Sequence, residues 1–382
     1  MSSIINILPF EVISMIIDII AKQDTRTNTK NTKRKFKSLK ACSLTCQALL
    51  PLCRAYIFHS IEFHDSSNPT GRSGTPRFIK LINTTPEIAQ YIRELRYGMR
   101  CDEEFPLLAS ALDHITKLQS LAIYFKGITG DWRSMDATTR SSLLRVMHLP
   151  TVVCLDLKNI ARFAMDELIP CINLKRLYLE YFRLVEGDKI SSEVEMNPPT
   201  KPIHLQKLHL AYCTMLSILA MLEQKWADGR PVLDLQELKE VYLDLPNVAQ
   251  LEISYAGDVT SAVKILSYTR HLKTMEFTVS TNSVDAVSAV SLISPCLTTL
   301  KTLSLVINHN SVDSPSNPYL AGDEWKELEY VLTSPGWSSL HQVDLYIVAL
   351  RSADIANQMK TLPNTQFPGL SSTFLALLSS EF

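Results

Sequence analysis

The spacing of apolar residues changes along this chain, and each change marks an element. From Val12 to Ile20 they fall at Val12, Ile13, Ile16, Ile17 and Ile20, the spacing of one helix face. Pro9 and Glu11 stand at the start of that run. Proline is tolerated in a first turn, where its missing N–H has no partner to lose, and an early carboxylate suits the helix dipole. The run is rich in β-branched residues, so its stability must come from packing and not from propensity. The helical period returns at Leu39, Cys42, Leu44, Cys46, Leu49 and Leu50, and Pro51 marks a break or a fresh helix start. Ala55-Tyr56-Ile57-Phe58, continuing to Ile61-Glu62-Phe63, then alternates and predicts a strand. Residues 22–38 carry Lys22, Arg26, Lys30, Lys33, Arg34, Lys35 and Lys37 against Asp24, which reads as a solvated basic insertion between two helices.

From Ile92 a six-residue pattern takes over: apolar, two variable, apolar, one variable, apolar. It falls at Ile92-Leu95-Tyr97, Leu118-Leu121-Ile123, Val152-Leu155-Leu157, Leu174-Leu177-Leu179 and Leu205-Leu208-Leu210. It continues at Leu238-Val241-Leu243, Val248-Leu251-Ile253, Leu272-Met275-Phe277, Leu300-Leu303-Leu305 and Leu340-Val343-Leu345. The last two apolar residues alternate on a short strand and point into a shared core, while the first approaches that core from the preceding turn. Helix-like stretches lie between: Asp136 to Met147, Thr214 to Trp226, Val259 to Tyr268, Val284 to Ile293 and Asp323 to Leu332. Parallel strands need such crossovers. The pattern resembles a leucine-rich repeat and implies an α/β solenoid with strands on one wall and helices on the other. The hop from Leu238 to Val248 is too short for a crossover helix, so one of those two hexads is out of place. The asparagine or cysteine that follows the strand in such repeats is present only at Cys213 and Asn308. Loop insertions are expected at 186–202 and 308–322, and the apolar stretch from Phe367 to Phe382 is suited to capping the last repeat.

Composition narrows the function. Charged residues are 20% and hydrophobic residues 46% of the 382, a globular balance. A net charge of −1 gives no global reason to bind nucleic acid. The apolar N-terminus has no positive leader and is interrupted by Glu11 and Asp18, so neither a secretory nor a membrane segment is expected. Glycine is scarce, 11 in all, which disfavours phosphate-cradling loops; Gly71-Arg72-Ser73-Gly74 is only a faint match. Cys42, Cys46 and Cys53 are spaced for one helix face, and the eight cysteines read as free thiols of a reducing compartment. No hydrolase, nucleotide-binding or metalloprotease motif occurs, and His204 and His209 fall on opposite faces of one predicted strand. No enzyme activity, cofactor or metal site is expected.

Leu8-Pro9-x-Glu11, the aliphatic helix, Leu39-Lys40-Ala41-Cys42-Ser43-Leu44-Thr45-Cys46, Pro51 and Tyr56-Ile57-Phe58 together resemble the F-box of fungal F-box proteins. The resemblance implies a three-helix module docking on a Skp-type adaptor and, through it, a cullin–RING ubiquitin ligase. It implies that Leu8, Pro9, Ile13, Ile16, Ile17, Leu44, Cys46 and Leu49 lie at or under that contact. Leu49 stands where the family commonly has tryptophan, and the 22–38 insertion is longer than the usual link. The expected organisation is an F-box-like helical domain over 1–64, a linker and first crossover over 65–91, and the solenoid over 92–382. The outward strand residues are the expected substrate surface: Arg176, Tyr178, Lys207 and His209 in a basic half, and Tyr242, Asp244, Glu252, Glu276 and Tyr346 in an acidic half. The expected function is a non-catalytic substrate adaptor of a Skp–cullin–F-box ligase, cytoplasmic and/or nuclear, binding an unknown protein substrate. The alternative is a ligase-independent leucine-rich scaffold or inhibitor.

Overall fold

The computed structural model describes residues 9–26, 36–64, 74–99, 107–127, 129–184, 201–213, 215–225, 230–245, 269, 271–280, 299–309, 330, 339–349 and 374–376. The chain forms two compact units, Met1–Lys126 with Ser134–Val152, and Gly127–Arg133 with Val153–Phe382.

The first unit opens with helix α1 (Phe10–Arg26), α2 (Lys37–Thr45) and α3 (Leu50–Ile57). The Pro9 carbonyl accepts from the Val12 and Ile13 amides and closes the first turn of α1. Ile17, Ala21, Leu39 and Cys53 form the buried centre, with Ile20, Phe36, Cys42, Leu49, Leu52, Tyr56 and Ile57 packed around it. The Tyr56 hydroxyl donates to Asp18 and ties α3 to α1. Two sequence expectations change here. Residues 22–26 are the last turn of α1 and Lys37–Ser38 open α2, so both ends of the expected 22–38 insertion are helical; residues 27–35 fall outside the described residues. Cys42, Cys46 and Cys53 do not share one helix: Cys46 is extended, with φ −157°, and separates α2 from the turn leading to α3.

Strand β1 (Ser60–His64) pairs in parallel with β2 (Glu94–Met99), and β2 with β3 (Ser120–Phe125). Helix α4 (Gly74–Thr84) is the crossover between the first two, and Phe63 stacks on its Phe78 with ring centroids 4.3 Å apart. The strand expected from Ala55 is helical as far as Ile57 and extended only from Ser60, where parallel pairing starts, and Phe58-Ile61-Phe63 is a further hexad. Helix α5 (Leu108–Asp113) is held to α6 (Ala137–Met147) by Arg145, whose Nε donates to Asp113 at 2.9 Å. Asp136 caps α6 by accepting from the Thr139 amide at 2.8 Å, which holds its carboxyl below the usual range.

The second unit contains the short pair β4 (Gly130–Asp131) and β6 (Ile160–Ala161), together with β5 (Cys154–Lys158) and β7 (Arg176–Glu180). It continues with β8 (Ile203–His204), β9 (Lys207–Ala211), helix α7 (Met215–Glu223), β10 (Leu233–Asp234) and β11 (Glu240–Leu245). The last strands are β12 (Thr274–Ser280), β13 (Thr302–His309), β14 (Gln342–Ala349) and β15 (Phe374–Ala376). Strands β5, β7, β9, β11, β12, β13, β14 and β15 pair in that order, every one of the pairs parallel. Within this unit the hexads stack as predicted. Leu155, Leu177, Leu208, Val241, Met275, Leu303 and Val343 form one register column, each no more than 3% exposed.

Strand β11 hydrogen-bonds directly to β12, so the hexad at Leu238 belongs to the ladder; Val248-Leu251-Ile253 lies outside the described residues. Asn308 is inside β13, not after it. Cys213 does sit after its strand, with Sγ 3.5 Å from the carbonyls of Leu179 and Ala211, and so links one repeat to the previous one. Three consecutive strands end on a left-handed residue: Asn159, Tyr181 and Tyr212, at φ 56°, 48° and 52°. Asparagine takes that conformation readily, whereas tyrosine is held there at a cost. The Tyr181 and Tyr212 rings stack at 4.4 Å with planes 3° apart. The predicted helices over Val259–Tyr268 and Val284–Ile293 lie outside the described residues, as do most of Asp323–Leu332 and most of the 186–202 and 308–322 insertions. At the C-terminal end β15 adds a strand, with Phe374 opposite Val343.

Candidate functional site

In a parallel ladder a residue is flanked by its register equivalents on both sides, so each outward position becomes a row across the sheet. The residue between the two apolar strand positions builds the central row: Asp156, Tyr178, His209, Tyr242, Glu276, Ser304 and Asp344. The row before it holds Arg176, Lys207 and Glu240, and the row after it Lys158, Glu180, Ala211, Asp244 and Tyr346. Of the expected surface residues, the fold brings Arg176, Tyr178, Lys207, His209, Tyr242 and Glu276 onto one continuous face. Asp244 and Tyr346 hold backbone places in the following row. Glu252 lies outside the described residues.

The aromatics of the central row stack along the sheet. His209 lies on Tyr242 with centroids 3.9 Å apart and planes 11° from parallel, and Tyr178 tilts against its other side at 5.7 Å. Burial is the main cause that lowers the His209 imidazole to about 4, with the Lys158 charge adding to it; the ring is neutral at pH 7. Lys207 reaches Glu240 at 2.8 Å and stands 5.8 Å from the centre of the Tyr178 ring. That bond to Glu240 is the first cause of its raised pKa. Lys158 pairs with Glu180 at 2.7 Å. Burial raises the carboxyl of Glu276.

These pairs change the charge reading. The sequence order, bases early and acids late, suggested a groove with two poles. Folding places Lys207 beside Glu240 and Lys158 beside Glu180, so bases and acids pair across neighbouring strands on either side of the aromatic row. The hexad spacing alone left open whether the Leu238 or the Val248 hexad follows β9, and the pairing of Glu240 with Lys207 decides it.

On the helical part, Ile17 is core and Leu49 packs against that core. Pro9, Ile16 and Leu44 are exposed, Ile13 and Cys46 half-buried, and Leu8 lies outside the described residues. Exposure reaches further than the resemblance implied: Phe10, Met15 and Ile19 are more than half exposed and Leu44 is 87% exposed. Phe10, Met15 and Ile19 were not singled out from sequence, although the three- and four-residue spacing from Val12 to Met15 and Ile16 and on to Ile19 would have found two of them.

Among the described residues no group of histidine, cysteine, aspartate and glutamate could hold a metal ion, and no helix is long and apolar enough to cross a membrane.

No protein-family model matches the chain, and no curated protein matches it. A comparison with solved structures finds the leucine-rich repeat-containing protein LegL7 from Legionella pneumophila, 13% identical, covering 84% of this chain and 91% of that one at a TM-score of 0.40. It also finds the TLR13–ssRNA13 complex, 14% identical, covering 79% of this chain and 47% of that one at a TM-score of 0.24. Both likenesses are loose. The repeat stands on the strand registers: a mixed α/β chain with a long run of parallel strands.

Proposed function

We propose that this chain is a non-catalytic adaptor, with the N-terminal helices as the handle and the strand face as the recruiting surface. In its specific form the handle docks on a Skp-type protein of a cullin–RING ubiquitin ligase and the strand face holds a protein substrate. The observation that carries the reading is the apolar stripe on α1. Phe10, Val12, Met15, Ile16 and Ile19 are exposed on a helix whose other side is packed, and Leu44 of α2 is exposed as well. Exposed apolar patches of this kind are costly in a free chain and mark a docking surface. The resemblance of residues 5–63 to an F-box supplies the partner class. The strand face supports the second half: stacked tyrosines among charged pairs suit an interface core with a polar rim.

The test is capture of a purified Skp-type protein by the full chain. Binding is expected, with loss on Ile16→Asp or Leu44→Asp and folding retained. No capture by the unmodified chain, or capture unaffected by both substitutions, rejects the ligase reading. One observation favours the ligase-independent scaffold as the second reading: Leu49, where the family has tryptophan, packs against the helical core.

A further inference from the structure

The ladder strands β7, β9, β11, β12, β13 and β14 are each entered through one residue in the same register: Lys175, Gln206, Lys239, Lys273, Lys301 and His341. Their backbones bind them into a column. The Lys175 carbonyl accepts from the Gln206 and Lys207 amides at 2.8 and 3.0 Å, and the Gln206 carbonyl from those of Lys239 and Glu240. The carbonyls of Lys239, Lys273 and Lys301 accept in the same paired way from Lys273 and Thr274, Lys301 and Thr302, and His341 and Gln342. Parallel strands lie about 4.8 Å apart, so the column steps by about that distance and spans roughly 24 Å from Lys175 to His341.

The four lysines and His341 are exposed. Lys239, Lys273 and Lys301 are successive in the column and sit well within a Debye length of about 8 Å, so each raises the electrostatic energy of the next. The fold does not demand the charge, because Gln206 fills an equivalent place. Nor do the adjoining residues cancel it. Lys273 stands between Leu272 and Thr274, Lys301 between Leu300 and Thr302, and Glu240 beside Lys239 is bonded to Lys207.

We propose that this lysine column is a binding track for an extended, aspartate- and glutamate-rich polypeptide segment of a partner. The proposal rests on the reading that the strand face recruits a protein, and it names the class of segment recruited. An extended chain advances about 3.3 Å per residue, so an acidic segment crossing the strands offers a carboxylate within reach of each flexible lysine without needing one fixed register. Single-stranded nucleic acid is the competing polyanion, but it depends on open ring faces for base stacking. Here His209 and Tyr242 lie face to face, as do Tyr181 and Tyr212.

The experiment measures fluorescence anisotropy of a labelled poly-glutamate peptide with the full chain, the triple variant K239Q/K273Q/K301Q, and the charge-matched control K80Q/K117Q/K201Q. Circular dichroism and melting confirm that each is folded. The expected result is binding that weakens as salt rises, reduced about tenfold by the column triple, as three exposed ion pairs predict, and unchanged by the control. No binding by the unmodified chain overturns the proposal, as does equal loss in both triples, or tighter binding of a single-stranded oligonucleotide that depends on the column. The peptide is offered directly, so failure here removes the acidic-segment assignment alone. The adaptor reading is decided separately by the Ile16→Asp capture.

Discussion

Ile16 and Ile17 are adjacent on α1 and face opposite environments, which makes them a direct test of how the helix is seated. Ile17 is 3% exposed in the centre formed with Ala21, Leu39 and Cys53, and Ile16 is 43% exposed. Ile17→Ala removes three carbons, worth about 2.5 kcal/mol in transfer at about 0.8 kcal/mol per methylene. Part of the resulting cavity persists and brings the cost to about 3 kcal/mol, within the range for such truncations. Ile16→Asp removes a side chain already half in water and should cost less than about 1 kcal/mol. The chain has two compact units, so a single melting temperature is a poor measure. Hydrogen exchange resolved to peptides of residues 10–26 is better. Protection of α1 should fall about a hundredfold in Ile17→Ala and less than tenfold in Ile16→Asp. Equal losses, or the reverse order, would show that the apolar stripe assigned to docking is in fact the buried one.

Three further outcomes follow from individual groups. The Tyr56 hydroxyl is pushed up to about 12, first by its bond to Asp18, so its stabilisation is complete below pH 10 and is lost as pH rises from 10 to 12; Tyr56→Phe should flatten α1 protection over that window and, solvent screening included, cost about 1 kcal/mol or less at pH 7. His209 titrates near 4 in the fold against an ordinary 6.5, so the unfolded chain takes up the proton first and stability falls as pH drops from 6.5 to 4; His209→Phe, which keeps a ring against Tyr242, should reduce that slope in urea titrations at stepped pH. Burial raises the Cys171 thiol to about 12 and Cys213 to about 11, so iodoacetamide followed by peptide mass analysis at pH 8 should modify the half-buried Cys42 and Cys46 well before either; early labelling of Cys213 would contradict its packing between repeats.

Where a local period decides structure, the sequence was a good guide. The helix expected from Asp136 to Met147 forms over Ala137–Met147 with Asp136 as its cap, and α7 falls within the expected Thr214–Trp226 stretch. The apolar hexads align in register because a strand of period two, repeated in parallel, leaves no other way to bury them together. Phe58-Ile61-Phe63 was missed as a repeat because it follows directly on a helix and reads as the end of the helical unit. Pairing of β1 with β2 is a contact at a distance, invisible to a local pattern. The three cysteines failed for the opposite reason: their spacing suits a helix, but the extended backbone at Cys46 interrupts it. The candidate face was legible by residue but was read by chain order and not by neighbouring strands, so the pairing of Lys207 with Glu240 across β9 and β11 was missed.

That difference bears on where specificity resides. Inward hexad positions are constrained by packing, so their leucines report the fold and little else. In the outward rows, Lys158 with Glu180 and Lys207 with Glu240 already satisfy one another, and His209 is neutral at pH 7. A partner meeting these rows finds part of the charge already paired, and burying the tyrosine rings adds to what it gains. The column before the strands is different. Its backbone carbonyls hold successive repeats together whatever the side chain is, as Gln206 and His341 demonstrate, so packing leaves the side chain free to vary. Lysine recurs there at Lys239, Lys273 and Lys301 despite mutual repulsion. A repeated choice that packing does not require, and that electrostatics opposes in the free chain, is best explained by what the chain binds.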